Sequence, residues 1–451
     1  MILTLFSYLF YGWANPAFAV VMLGTTILNF YFGLVIARYP AVSAESKTQE
    51  RNQRRRKRAL VASVVVSLGA LVFFKYFNFA VDSVNAALVL VGAEAHQWHT
   101  LLRVTLPLGI SFYTFQAMSY TIDVYQGDAK AISRFVDFAC YVSMFPQLVA
   151  GPIIRFQEVA DQLIHRSLSL VKFSRGVAFV SLGLTKKIFL ANTCGKVADT
   201  CFDAISLHTV DAWVGAVAYS FQIYFDFSAY SDMAIGLGLM LGFVFPKNFD
   251  SPYRSQSITE FWQRWHISLS TWLRDYLYIP LGGNRKSPSR TYINLALVML
   301  LGGLWHGAAW NFIIWGGIHG LFLGMERALG KKSFYRSLPG AIRMMITFGI
   351  ATLAWVFFRA PDIHSAFDYL RSMFAISDPS HASSLVTGIL YSPYSIVALT
   401  LAAAITWGAP QTWDFTRRLS VLKAALIIGL FVLSLIVMTT QSYNPFIYFI
   451  F

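Results

Sequence analysis

The 451-residue chain is apolar and poor in charge: hydrophobic residues make up 56% of it and charged residues 13%, with a mean hydropathy of +0.54. No single water-soluble core of this size could bury so much apolar surface, so the composition excludes a soluble globular protein. Long uncharged runs at 59–74, 294–304 and 424–438 instead predict a polytopic membrane protein.

The chain is also basic, with 36 Lys and Arg against 22 Asp and Glu and a formal net charge of +14. In a membrane protein this excess usually lies in cytoplasmic loops and near anionic lipid head groups, so we expect lipid contacts and no nucleic-acid partner. Three cysteines, Cys140, Cys194 and Cys201, form an odd set without metal-ligand spacing. Neither a disulfide framework nor a metal site is predicted.

The first apolar segment continues to about Ile36 and has no basic start, which predicts an uncleaved membrane segment rather than a signal peptide. Asn15-Pro16 is expected to break it into two helices. The following segment, 38–58, is rich in Lys and Arg and lies between two apolar stretches. It therefore predicts a cytoplasmic loop, with a regulatory lipid-binding patch as the alternative.

Ten further apolar stretches follow, near 59–92, 104–124, 135–154, 173–193, 210–245, 291–304, 305–327, 341–358, 385–407 and 421–438. At about 20 residues per full span, they predict about 10–12 membrane segments, not all complete. We expect one integral-membrane α-helical domain covering 1–451.

Proline and glycine interrupt two of these stretches, at 107–109 and at 146–152. Such residues break membrane helices, and non-helical backbone at membrane depth is tolerated only inside protein or along a wet cavity. The pattern predicts broken or re-entrant helices and indicates an internal tunnel.

The stretch 256–285 interleaves charges with tryptophans, which favours an amphipathic helix at the cytoplasmic interface. Ser257 and Glu260 have the spacing of a capping box at its start, and the Pro-Leu-Gly-Gly-Asn run at 280–284 is typical of a helix end.

Three histidines, His266, His306 and His319, lie in apolar or amphipathic segments, where an ionisable side chain is costly and often functional. His306 has glycines on both sides, so a substrate or another backbone could come close to it. The alternative is that Gly303-x-x-x-Gly307 is a helix-packing face and His306 bonds a neighbouring helix. His319 would point away from His306 on one straight helix, which disfavours a shared metal or haem and favours a structural role.

A neutral histidine in a dry tunnel can act as a general base if a second polar group orients it or stabilises the developing charge. His266 is the candidate partner, although its spacing from His306 cannot show that the two are close. The alternative is an interfacial imidazole solvated by water.

A second polar cluster, formed by Asp226, Ser228, Ser231 and Asp232, interrupts the apolar stretch 210–245. Carboxylates at membrane depth need partners. One interpretation is a buried ion pair with Arg264 or Arg274 that fixes the packing; the other is binding of a donor or an acceptor.

Two long runs resemble the signature of the membrane-bound O-acyltransferase (MBOAT) family: YFDFSAYSDMAIGLGLMLGFVFPKNFDSPYRSQSITEFWQRWHISLSTWLRDYLYIPLGGNR and NLALVMLLGGLWHGAAWNFIIWGGIHG. The segments LPLGISFYTFQAMSYTIDVYQGD, FPQLVAGPIIRF, GLTKKIFLAN and PFIYFIF are similar to its bacterial branch that includes the alginate O-acetylation membrane protein. The signature core spans about 219–327. One departure is Ala229, where the branch has Gly.

This resemblance implies a ring of tilted, partly broken helices around a central tunnel. The family's W-H-G histidine corresponds to His306 and its R-W-H-I-S histidine to His266, which makes both candidate catalytic residues. The expected tunnel-lining or supporting residues are Trp305, Gly307, Asn311, Asp226, Ser228, Asp232 and His319. The expected donor-phosphate contacts are Arg264, Arg274, Arg285, Lys186 and Lys187.

The resemblance implies that the chain is an O-acetyltransferase of the bacterial inner membrane. It would pass acetyl groups from a cytoplasmic donor, acetyl-CoA or a group derived from it, to an exported polysaccharide such as alginate or cellulose. A periplasmic acetyltransferase- or esterase-like protein is the expected partner, and no bound cofactor is expected. Alternatives are peptidoglycan O-acetylation, teichoic-acid D-alanyl transfer, an acyl-group transporter without catalysis, and a structural subunit of an export complex.

Overall fold

The computed structural model describes residues 1–39, 46–93, 96, 98, 103–330, 337–376 and 384–445, and within these ranges it is helical and contains no strand. This confirms the predicted all-α class. Residues 40–45 of the basic segment and 446–451 of the closing PFIYFIF motif lie outside the described ranges. The chain divides into two compact units, residues 1–167 with 242–245, and residues 168–241 with 246–451. The single domain and the ring around a tunnel stay predictions.

The first unit contains helices α1 (Ile2–Ala14), α2 (Pro16–Arg38), α3 (Ser46–Leu90), α4 (Ile110–Gln126), α5 (Phe135–Ser143), α6 (Phe145–Leu148) and α7 (Phe156–Ile164). The break at Asn15-Pro16 is confirmed, because the Asn15 side chain caps α2 by accepting the Ala17 N–H at 3.0 Å. The two predicted interruptions are also confirmed: Gly109 adopts a left-handed conformation before α4, and 149–155 is not helical.

The prediction of a loop is wrong for residues 46–58, which form the first turns of α3. Lys, Arg, Gln and Glu are good helix formers, and an exposed Glu50–Arg54 ion pair one turn apart supports this helix. α3 has 45 residues. At 1.5 Å per residue it is about 67 Å long, more than the roughly 30 Å hydrocarbon core of a bilayer. Its charged start therefore extends beyond the apolar part, while its cytoplasmic location stays a prediction.

The second unit begins with α8 (Leu170–Thr185), a π-helical turn (Lys186–Ala191), α9 (Asn192–Phe202), α10 (Thr209–Met240), α11 (Ile258–Arg264), α12 (Ile267–Leu273) and a second π-helical turn (Arg274–Tyr278). It continues with α13 (Pro288–His306), α14 (Trp310–Leu329), α15 (Gly340–Arg359), α16 (Ile363–Met373), α17 (Ser384–Leu390), α18 (Pro393–Gly408), α19 (Thr412–Phe415) and α20 (Val421–Thr440). Helix α10 packs against α8, α9 and α15, and α13 packs against α14. Polar side chains on the buried α10 consequently lie inside this unit.

Five stretches of the described chain are long and apolar enough to cross a membrane: Pro16–Arg38, Lys47–Leu90, Leu170–Phe202, Gly340–Arg359 and Val421–Thr440. Two shorter apolar helices are Ile2–Ala14 and Pro393–Gly408. The chain is a multi-pass membrane protein, as its composition predicts. The count of about 10–12 membrane segments stays a prediction.

The prediction of one amphipathic helix over 256–285 is wrong, because the chain breaks at Trp265-His266 into α11 and α12. His266 has φ 42°, a left-handed conformation that is rare for a residue with a Cβ. The predicted cap is present, since Ser257 Oγ accepts the Glu260 N–H at 3.0 Å. The Glu260 carboxylate accepts the N–H of Gln256 at 2.8 Å, where a capping box would have that of Ser257.

Candidate active site

His306 is the last residue of α13. Gly307 adopts an extended conformation and ends the helix there, and α14 begins at Trp310. His306 and His319 are therefore not on one straight helix, which corrects the geometry assumed from the sequence. The indole of Trp315 lies between them, with ring centroids 5.2 Å from His306 and 5.0 Å from His319.

Helices α13 and α14 approach closely where glycines face each other. A Cβ on Gly303 would overlap the Phe312 carbonyl oxygen and would lie 3.4 Å from the Cα of Gly316. A Cβ on Gly307 would overlap the Phe312 ring. The glycines thus form the packing face that was one interpretation of this motif, and the same packing fixes the end of α13 where His306 lies.

The structure brings His266 and His306 together. Their ring centroids are 6.3 Å apart, and both side chains are buried, at 0% and 6% exposure. Trp305 contacts both rings, at 6.0 Å from His266 and 5.1 Å from His306. Phe227 packs edge-on against His266 and Phe358 against His306. Two imidazoles from separate elements therefore share one aromatic enclosure.

His266 lies between two short helices, outside the candidate spans. Its Nδ1 is 3.2 Å from Oδ1 of Asn248. Burial, and to a lesser degree the neighbouring His306, lowers the pKa of His266 well below its ordinary value. His266 is therefore neutral at physiological pH and able to accept a proton.

A cavity of about 470 Å³ opens onto His306 between α11, α12, α13 and α14. Gly302 and Trp262 border it, and aliphatic side chains form much of its wall: Ile267, Leu269, Leu273, Leu295, Val298, Met299 and Leu323. Polar side chains, among them Gln263 and Arg274, also border the cavity, so its wall is mainly but not wholly apolar. A mainly apolar wall lowers the local dielectric and strengthens polar interactions formed at the imidazole.

The acidic cluster does not pair with the arginines that the sequence indicated, and that pairing is wrong. Asp226 instead pairs with Lys187 and Asp232 with Lys186, each at 2.7 Å. The two lysines belong to the π-helical turn that packs against α10, so they reach carboxylates on that helix. Ser228 is buried on α10 and bonds weakly to the Phe225 carbonyl at 3.5 Å.

The residues expected to contact the donor are mostly engaged in ion pairs. Arg264 pairs with Glu260 at 2.9 Å and Arg274 with Asp275 at 2.7 Å. Arg285 is exposed. Lys186 and Lys187 are engaged with carboxylates as described above. For all five of these cations, binding of the donor stays a prediction.

Two other predicted site residues support the enclosure. Asn311 donates from Nδ2 to the carbonyls of Phe357 and Ala360, at 3.1 and 2.8 Å, and so ties the start of α14 to the end of α15. His319 is fully buried and stacks on Phe261 at 5.9 Å. Both positions agree with supporting roles.

Sequence reasoning missed Asn248, which is 1% exposed and bonds to Ser231, His266 and Ser268. The sequence offered little signal for Asn248, because it lies between the charged Lys247 and Asp250 and reads like part of a polar loop. As for metals, the described ranges contain no group of three or more His, Cys, Asp or Glu side chains that could hold an ion.

Comparison with known proteins places this site in a family. The model of the MBOAT, membrane-bound O-acyltransferase family, matches residues 128–360, which include both histidines. The chain is 44% identical to the probable alginate O-acetylase AlgI of Pseudomonas putida, over 100% of this chain and 94% of the relative. It is 37% identical to the peptidoglycan O-acetyltransferase of Helicobacter pylori, over 84% and 74%.

A more distant relative is the teichoic acid D-alanyltransferase of Streptococcus thermophilus, which is 31% identical over 56% of this chain and 68% of the relative. The three relatives have acyl transfer in common, and the family model covers the region that encloses His266 and His306. This chain belongs to the membrane-bound O-acyltransferase family and is an acyltransferase.

Proposed function

We propose that this acyltransferase O-acetylates an exported polysaccharide, drawing on acetyl-CoA or an acetyl group derived from it, in the bacterial inner membrane. The observation that carries the proposal is the buried His266–His306 pair beside a cavity that opens onto His306. Its acetyl specificity is supported by the 44% identity to a probable alginate O-acetylase.

The chemistry follows from a buried imidazole beside a mainly apolar cavity. A hydroxyl oxygen of the acceptor attacks the acetyl carbonyl while His306 takes the hydroxyl proton. A carbon–oxygen bond forms, the carbon–sulfur bond of the thioester breaks, and the proton passes from His306 to the departing thiolate. General-base assistance of this kind contributes about 10²–10⁴-fold in rate.

The polymer lies outside the cell and acetyl-CoA inside, so the acetyl group has to cross the membrane. We expect the basic segment 38–58 to lie on the cytoplasmic side of the membrane and the donor to enter from that side. Of the predicted cations, Arg274 borders the cavity that opens onto His306, so it is the best placed for donor phosphate. On the outer side, a periplasmic acetyltransferase- or esterase-like protein would complete delivery to the polymer.

Alginate is the favoured polymer, ahead of cellulose, because of the identity to the probable alginate O-acetylase. Peptidoglycan is the second candidate, supported by the 37% identity to a peptidoglycan O-acetyltransferase. D-alanyl transfer is more remote, since that relative matches only 56% of this chain.

The test is acetyl transfer from radiolabelled acetyl-CoA in proteoliposomes, supplied with periplasmic extract and either alginate or peptidoglycan fragments. Wild type is compared with His306→Ala at matched folded protein. His208→Ala is the matched control, because His208 is an exposed histidine at the start of α10.

We expect wild type and His208→Ala to label alginate and His306→Ala to lose the transfer. Equal transfer by His306→Ala would remove His306 as catalyst and favour a conduit without chemistry. Label in peptidoglycan fragments alone would replace alginate with the second candidate.

A further inference from the structure

Asn248 holds the segment that carries His266 at two points. Its main-chain carbonyl accepts the Ile267 N–H at 2.9 Å. Its side-chain oxygen Oδ1 accepts the Ser268 N–H at 3.3 Å and the Ser268 hydroxyl at 2.9 Å. Asn248 therefore fixes the two residues that follow His266.

These contacts determine which way the Asn248 amide points. A main-chain N–H can only donate, so the Asn248 atom that faces the Ser268 nitrogen must be the oxygen. The other end of the amide, Nδ2, lies 2.9 Å from Ser231 Oγ, which can accept. Both ends of the side chain agree with one orientation.

The amide orientation in turn determines where the proton of His266 lies. Nδ1 of His266 is 3.2 Å from the same Asn248 oxygen. If Nδ1 carried no hydrogen, its lone pair would face a lone pair of the Asn248 oxygen, and the two would repel each other. Nδ1 therefore carries the hydrogen and donates it to that oxygen. The Ser268 hydroxyl is 3.4 Å from Nδ1 but only 2.9 Å from the Asn248 oxygen, so it is the weaker competitor.

A neutral ring protonated on Nδ1 has its lone pair on Nε2. This atom is buried and has no hydrogen-bond partner among the residues that the structure describes. It lies in the aromatic enclosure shared with His306 and Trp305. His266 can therefore accept a proton or a hydrogen bond at Nε2, but it cannot donate one there.

We propose that Asn248 is a positioning residue that holds His266 in the Nδ1–H tautomer, so that His266 acts in acetyl transfer as an acceptor at Nε2 and not as an N–H donor to the developing oxyanion. This inference rests on the proposed acetyl transfer for its catalytic meaning. The tautomer itself can be measured without it.

Asn248 also helps to hold the backbone conformation of His266. The left-handed conformation of His266 is strained for a residue with a Cβ and persists only where the surroundings enforce it. The bonds from Asn248 to Ile267 and Ser268 enforce it directly after the strained residue. A test must therefore separate positioning of the imidazole from general loss of structure.

The experiment measures ¹⁵N imidazole shifts of the full chain in lipid nanodiscs, with the His266 signals assigned from their loss in His266→Gln. In wild type we expect Nδ1 protonated and Nε2 unprotonated. Asn248→Asp keeps an acceptor oxygen and should keep this tautomer, whereas Asn248→Ala should give a mixture. Ser268→Ala, which removes only the competing hydroxyl, should leave the tautomer unchanged.

The kinetic readout is acetyl transfer in proteoliposomes. Asn248→Ala should lower kcat roughly 10–100-fold, the range found when a hydrogen-bond partner that orients a metal-bound histidine is removed, with KM for acetyl-CoA unchanged. Asn248→Asp should recover most of the rate. Asn294→Ala is the matched control, because Asn294 is a fully buried amide that bonds main-chain carbonyls of 281 and 283.

A wild-type His266 protonated on Nε2 would overturn the inference, whatever the kinetics. So would equal losses of kcat in Asn248→Ala and Asn294→Ala, or a tautomer that Asn248→Ala leaves unchanged. A wild type that holds the Nδ1–H tautomer but transfers no acetyl group would instead overturn the proposed function.

Discussion

The imidazole rings of His266 and His306 lie 6.3 Å apart, centroid to centroid, although one belongs to the break between α11 and α12 and the other to the end of α13. Trp305 contacts both rings and precedes His306 in the chain. One ring can accept a proton, and the second ring lies beside it in the same enclosure. The two histidines can therefore act as one catalytic unit.

The first prediction concerns this unit. His266→Ala and His306→Ala should each lower kcat for acetyl transfer about 10²–10⁴-fold, the range for loss of a general base. The double variant should lose little more than the worse single variant, because residues that act together are not additive. Steady-state transfer rates at matched folded protein measure this. Losses that multiply in the double variant would show that the two histidines act independently.

The residues and their resemblance predicted both histidines, the all-α class and the breaks near 107 and 146. They did not predict the left-handed His266, because the bonds that hold it come from Asn248, which is not a sequence neighbour. Tertiary contacts override local helix preference at that point.

The carboxylate partners were missed for a related reason. Charge alone could not show whether the carboxylates on α10 would pair with Arg264 and Arg274 or with the lysines of the first π-helical turn. The choice depends on which element packs against α10, and the first π-helical turn does so. In the basic segment, the excess of positive charge predicted a loop. Most residues of 46–58 are nevertheless good helix formers, and they continue directly into α3.

The second prediction concerns pH. Burial, and secondarily His306, lowers the pKa of His266 well below 6.5. The neutral ring is the acceptor, and protonation inactivates it. A lowered pKa delays protonation to more acidic pH, so protonation of His266 should not reduce kcat between about pH 8 and 6.5 and should reduce it only below that.

The measurement is kcat in proteoliposomes buffered equally on both sides, with folded protein monitored at each pH. The titratable ring in contact with His266 among the described residues is His306, so the profile is repeated in His306→Gln. An acid limb centred at or above pH 6.5 that persists in the residual rate of His306→Gln would contradict the expected shift.

The third prediction concerns the packing of α13 on α14. Gly303→Ala should destabilise the protein by about 1–3 kcal/mol, the usual cost of overpacking, because the new Cβ would meet the Phe312 carbonyl and Gly316. Thermal unfolding in detergent measures this. Gly317→Ala on the facing helix is the control, since its Cβ would make an ordinary 3.7 Å contact with Leu300. Equal melting temperatures for the two variants would show that the approach is not tight.

The fourth prediction concerns the ion pair between Lys187 and Asp226, whose side chains are 11% and 2% exposed and whose charged atoms are 2.7 Å apart. Removing one partner of a buried pair leaves a charge without its counterion and costs about 3–5 kcal/mol. Lys187→Met and Asp226→Leu should therefore each lower thermal stability in detergent. The double variant should recover most of the loss, because apolar replacement of both partners removes the desolvation cost together with the attraction.

The same variants distinguish packing from donor binding at Lys187. If the lysine serves mainly to neutralise Asp226, KM for acetyl-CoA should change little in the folded fraction of any variant. If it holds donor phosphate, KM should rise in Lys187→Met and stay high in the double variant, while stability changes little. Since the Lys187 ammonium also donates to the Pro445 carbonyl, its bonding in the structure favours the first outcome. A raised KM that the double variant does not restore would reverse this assignment and return Lys187 to the donor site.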